Sequence, residues 1–132
     1  MQGFDVKTRR RAEFVDITAQ VRSAAATHGA SDGAVLVYVP HTTAGVTINE
    51  DADPSVRADL AMALERLVPS DLPFTHAEGN SDAHVKASLM GSSVLVPLAG
   101  GRLQLGTWQG IYFAEFDGPR DRHVLVSVLP GA

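Results

Sequence analysis

The chain has 132 residues, 45% of them apolar and 20% charged, which suits one compact, ordered domain and leaves no room for a second core. Its 15 acidic and 11 basic residues give a formal charge of -4, which excludes a uniform positive field for nucleic acid or an anionic membrane; a bound anion must be held by local groups. The absence of cysteine removes disulfides, thiolate metal sites and a cysteine nucleophile together.

The opening residues lack the charged start and apolar stretch of a signal peptide, and no apolar run approaches the ~18 residues needed to span a bilayer. A cytoplasmic protein is expected. Phe4 to Val6 and Ala12 to Val15 have the length and apolar content of short strands, and the basic run Lys7 to Arg11 between them reads as a solvated turn. Asp16 is placed to cap a first helix whose apolar positions Ile17, Val21, Ala24 and Ala25 share one face, with Gly29 as its stop.

Ala34 to Val39 is a valine-rich run too short for a helix, and Val46-Thr47-Ile48 alternates as a half-buried strand does. Between them, Pro40 and Gly45 fence His41-Thr42-Thr43-Ala44 into a strand end or bulge, a place where side chains are aimed as well as packed. Asp53-Pro54 reads as an N-cap followed by proline at the first helical position. Val56, Leu60, Ala63, Leu64 and Leu67 then recur at helical spacing until Pro69 ends this second helix. Ser81 or Asp82 is placed to cap a short third helix that ends near Gly91.

The last third reads as strands over Ser93 to Leu98, Gln109 to Phe116 and His123 to Leu129, with a Gly100-Gly101 turn. Strand runs neighbour one another without regular helical crossovers. The expected fold class is therefore α+β, a largely antiparallel sheet or compact two-sheet sandwich, with two or three helices, and not a doubly wound parallel sheet.

The segment His76 to Lys86 concentrates ionisable groups: His76, Glu78, Asp82, His84 and Lys86, with Asn80 among them. Imidazoles and carboxylates together suit a divalent metal such as zinc or magnesium, with His41, His76 and His84 as candidate ligands. Without metal, the same groups divide general-acid and general-base roles near neutral pH. The competing reading is structural, with loop histidines satisfying carbonyls and Asp82 capping a helix. His28 reads as a surface cap residue and His123 as exposed or structural. Trp108 reads as a core or interface aromatic. Gln109, opening an apolar strand, needs a hydrogen-bond partner. The glycines around Trp108 lack the lysine of a phosphate loop.

The runs His41-Thr42-Thr43-Ala44 through Asn49-Glu50, Asp53 to Asp59, His76 to Lys86 with Ala87 to Gly91, Leu105 to Ile111, and Gly118-Pro119-Arg120 are similar to the successive motifs of the YjbQ-like family, over roughly Glu13 to Leu129. The resemblance implies a compact α+β sandwich, a homotrimer, and a pocket that adds His41, Glu50, Gln109 and Arg120 to the loop cluster. It also implies a secondary thiamine-phosphate synthase activity, which joins a pyrimidine methyl diphosphate to a thiazole phosphate and releases pyrophosphate. On that reading Lys86 and Arg120 neutralise phosphate oxygens, Thr42, Thr43 and Asn80 bind substrate, and His41 and His84 handle protons or hold a metal. Glu50 and Asp82 then orient them or bind a cation. The alternatives are a metal-dependent hydrolase of an anionic metabolite in the same pocket, and a non-catalytic metabolite-binding protein.

Overall fold

A computed structural model describes residues 1–131. Eight strands and three helices follow in the order β1 (Gln2–Lys7), β2 (Glu13–Asp16), α1 (Thr18–His28), β3 (Gly33–Tyr38), β4 (Ala44–Glu50), α2 (Pro54–Leu67), α3 (Ser81–Met90), β5 (Ser93–Ala99), β6 (Arg102–Leu103), β7 (Gln109–Glu115) and β8 (Asp121–Pro130). The strands form a five-stranded sheet, β1-β8-β3-β5-β6, and a three-stranded sheet, β2-β7-β4, antiparallel throughout. The α+β class and the antiparallel sandwich are as expected, and the structure fixes the numbers at two sheets and three helices.

Strand β7 explains the layering. Its side chains alternate between two faces, as any strand's must, and both faces are buried. Ile111 and Phe113 point into a core shared with Val35, Val37, Val124 and Val126 of the large sheet, Ile17 at the entry to α1 and Val21 within it. Tyr112 and Ala114 point the other way, into a second core with Leu64 of α2 and Ala83 and Ala87 of α3. The small sheet is thus the middle of three layers, between the large sheet and the pair α2 and α3.

Local chemistry sets the boundaries. Asp53 accepts from the Ser55 N–H at 2.9 Å with Pro54 at the first helical position, as expected. Asp16 accepts from both the N–H and the Oγ1 of Thr18, one residue outside the formal cap. Gly100 and Gly101, at φ 58° and 73°, turn β5 back onto β6 in a conformation other residues resist. Asp82, by contrast, does not cap α3; its carboxylate is fully buried and paired with Arg11 and Lys86. Among the described residues, no helix is long and apolar enough to cross a membrane.

Gly45 places α3. A Cβ there would stand 2.5 Å from the Gly91 carbonyl oxygen, so only glycine lets β4 run this close to the end of α3. That approach brings the polar start of α3 beside the polar turn that precedes β4.

Candidate functional site

The two polar segments meet at a cavity of about 840 Å³, a size that takes a metabolite. From the turn before β4 come His41, Thr42 and Thr43; from the loop and start of α3 come His76, Glu78, Asn80 and His84; from the β7–β8 connection and β8 come Asp117, Arg120 and Arg122. Of the residues expected at a site, the structure therefore brings together His41, Thr42, Thr43, Asn80, His76, His84 and Arg120.

Four others lie elsewhere. Glu50 pairs in register with Gln109, six residues along β4 from the Ala44–Glu115 pair at the cavity end, a separation of roughly 20 Å. A role for Glu50 or Gln109 in this cavity therefore requires a second copy of the chain. Gln109 has a local partner, the Gly106 N–H at 2.8 Å, and so closes its own turn. Trp108 beside it is 63% exposed, which removes it from the core. Lys86 and Asp82 are the other two, and both are buried. Lys86 Nζ lies 2.7 Å from Glu65 and 3.4 Å from Asp82, so its charge is neutralised inside the protein and does not face the cavity.

The basic run Lys7 to Arg11 is more than a solvated turn. It carries the chain between sheets, since β1 and β2 belong to different ones. Arg11 crosses to the start of α3 and grips both oxygens of Asp82, at 3.0 and 3.1 Å. Thr8 is buried and donates to Glu115 at 2.7 Å.

Beneath the cavity lies an ion pair absent from the sequence reading. Glu115 is fully buried and accepts from Thr8, from Arg122 and from the N–H groups of Phe116 and Asp117. Arg122 also donates to Thr43 Oγ1 at 2.9 Å and so fixes the turn that carries His41 and Thr42. Burial alone would raise the Glu115 pKa, but the bonds from Arg122, the Asp117 N–H and Thr8 outweigh it and hold the carboxyl below its usual value. Because Glu115 balances it, Arg122 adds little positive charge to the cavity.

Arg120 is the cation that remains. Its Nε donates to the Asp117 carbonyl at 2.8 Å and its Nη2 to the Asp117 carboxylate at 3.0 Å; Nη1 has no partner among the described residues. Asp117 also accepts from Asn80 Nδ2 at 2.8 Å, which fixes the Asn80 amide and leaves its buried Oδ1 without a partner. For Asp117 too, burial pulls its pKa up, and the bonds from Asn80 and Arg120 more than reverse it.

His41 is held neutral. Burial first, then the nearby Arg122 charge, lower its pKa from the usual 6.5. Its Nε2 accepts the His123 N–H at 2.9 Å, which assigns the ring proton to Nδ1. Since the folded-state value lies below the unfolded one, the neutral ring's contribution is complete above about pH 6.5 and is lost as the pH falls through the folded value. Long-range 15N–1H spectra near pH 8 should show the Nδ1–H tautomer for His41, and its titration midpoint should lie below 6.5. A midpoint above 6.5 contradicts this arrangement.

The family model for the UPF0047 protein YjbQ-like family matches residues 2–131. The chain belongs to the YjbQ/UPF0047 family. It is 52% identical to a UPF0047 protein of Methanocaldococcus jannaschii over 96% of this chain and 91% of that one, and 45% identical to the UPF0047 protein YugU of Bacillus subtilis over 98% of both. A crystal structure of a YjbQ/UPF0047 family protein from Clostridium acetobutylicum superposes with a TM-score of 0.96 at 51% identity, covering 98% of this chain and all of that one. The crystal structure of a hypothetical protein, APE1520, from Aeropyrum pernix gives 0.94 at 41% identity over 98% of each chain.

Proposed function

We propose that the cavity binds a small phosphorylated metabolite and catalyses diphosphate displacement, the reaction of a thiamine-phosphate synthase. The observation that carries this reading is the gathering of three imidazoles, two threonines and an anchored, part-free arginine around one metabolite-sized cavity. In the reaction, a thiazole ring nitrogen attacks the pyrimidine methylene carbon while the carbon–oxygen bond to the diphosphate breaks, and pyrophosphate departs with the bonding pair. Negative charge gathers on the leaving group, so donors fixed in advance around it lower the barrier. Arg120 supplies a guanidinium already oriented by Asp117, Thr42 and Thr43 supply hydroxyls, and His84 faces the departing pyrophosphate from the cavity rim. Of the two cations expected to neutralise phosphate, Lys86 and Arg120, this reading keeps Arg120, which lines the cavity.

The test is to incubate purified protein with both phosphorylated precursors and to measure thiamine phosphate and pyrophosphate. Product should form in equal amounts, and Arg120→Ala and His84→Ala should each lower kcat/KM by about 100-fold. Formation of no thiamine phosphate removes the reading, and pyrophosphate released without the thiazole partner points to a hydrolase.

We further propose self-assembly into a homotrimer through the outer face of the large sheet. There Leu36 pairs with Leu95 and Tyr38 with Leu125, and Tyr38, Leu95 and Leu129 are 42%, 57% and 49% exposed. Contiguous apolar area of this kind is uncommon on a monomer. Sedimentation should give three chains per particle, and Leu95→Lys should release monomers. A single-chain mass for the unaltered protein refutes this.

A further inference from the structure

On the rim of the cavity, the His76 and His84 rings pack edge to face and Glu78 lies beside His76. The His76 and His84 rings have centroids 5.3 Å apart and planes at 87°. Two imidazoles bound through nitrogen to a tetrahedral zinc at about 2.0–2.1 Å would have centroids about 5.2 Å apart. His76 Nε2 lies 4.0 Å from Glu78 Oε1, too far for a hydrogen bond, whereas two ligand atoms on such an ion lie about 3.4 Å apart. No three acidic or histidine side chains among the described residues are already gathered for coordination. Coordination therefore asks the side chains to move together, and Glu78, 71% exposed, and His76, 43% exposed, are free to do so.

We propose that His76, Glu78 and His84 bind one divalent transition ion of the zinc class, with a remaining coordination position open to the cavity. Two imidazoles with one carboxylate favour zinc, cobalt or nickel over magnesium or calcium, which prefer all-oxygen sites. His41 is not a ligand: its Nε2 lone pair takes the His123 N–H and its Nδ1 carries the proton, so neither nitrogen is free. Binding of the ion stands on this geometry alone. Its use as a second cation beside Arg120, polarising a phosphate oxygen, rests on the reading under Proposed function.

Chelator-stripped, dialysed protein is titrated with Zn²⁺ by calorimetry and with Co²⁺ by visible absorption. One ion per chain should bind, with the d–d bands of tetrahedral cobalt. His76→Ala and His84→Ala should each weaken binding at least 30-fold, Glu78→Gln by a smaller factor, and His41→Ala not at all. No saturable binding overturns the site. So does equal affinity in the His76→Ala protein, which marks binding by scattered surface histidines, or an equal loss in His41→Ala. His76 lies on an exposed loop, so that variant remains informative if His84→Ala fails to fold. Titration with pyrophosphate, read by thermal stabilisation, keeps the two readings apart. Zinc bound as described without any pyrophosphate effect removes the transferase reading and leaves the metal site; stabilisation by pyrophosphate without zinc binding does the reverse.

Discussion

Replacing Glu115 by alanine should lower the unfolding free energy by about 3–5 kcal/mol, read from the urea midpoint. The size follows from what the substitution strands. Arg122 is buried, and both nitrogens that bind Glu115 would lose their counter-charge at the cavity floor, where little water reaches. Thr8 and the N–H groups of Phe116 and Asp117 would lose their acceptor at the same moment. Glu115→Gln keeps the shape and two acceptor sites but not the charge, and should lie between the two proteins. The double substitution Glu115→Leu, Arg122→Met should recover much of the loss, because the uncompensated charge is what costs most. If Glu115→Ala unfolds at the midpoint of the unaltered protein, the pair has no part in holding the layers together.

The same carboxylate sets a pH dependence. Glu115, Asp82 and Asp117 each have folded-state pKa values held below their usual ones, 4.5 for the glutamate and 3.8 for the aspartates. A depressed carboxyl contributes stability that is fully present above its unfolded value and is lost as the pH falls through its folded one. From these groups, stability should hold down to about pH 4.5 and fall steeply below about 4. His41, whose pKa is also lowered, adds a shallower decline that begins near 6.5.

The Glu115–Arg122 pair also marks where the sequence was legible and where it was not. Strand positions followed from apolar runs, and the ends of α2 from Asp53, Pro54 and Pro69, because those signals are local. The pair left a local trace as well: Glu115 continues the inward phase of Ile111 and Phe113, and Arg122 the inward phase of Val124 and Val126. Opposite charges on the inward phase of two strands are a readable hint of a buried pair, although the register that joins them is not. Arg11 left no such trace. Its partner Asp82 lies 71 residues away, and nothing local separates it from the other basic residues of its turn. The cavity itself was half legible. Its histidines, threonines and Arg120 stood out, but motif order alone put Glu50 and Gln109 with them, and the length of the β4–β7 ladder sets them at its far end.

Asp82→Ala should cost about 3 kcal/mol and also weaken ligand binding at a site the residue does not touch. Lys86 would keep only Glu65, whose side chain is 54% exposed, as counter-ion for a buried ammonium, and Arg11 would lose its only side-chain partner among the described residues. The figure sits at the low end of the range for a broken buried pair because Glu65 remains and Arg11 is 44% exposed and can turn to water. Asp82 lies between Asn80 and His84 in the first turn of α3, so the Arg11 clamp fixes the azimuth of both cavity residues. A positioning role of this kind separates from a merely stabilising one by measurement below the unfolding transition. There, folded Asp82→Ala should bind pyrophosphate more weakly while the His41 tautomer, set by a different segment, is unchanged. Arg11→Ala should reproduce most of the binding defect with a smaller loss of stability, since it leaves the Asp82–Lys86 pair intact. Should Arg11→Ala bind pyrophosphate as the unaltered protein does, the clamp serves the fold and not the site.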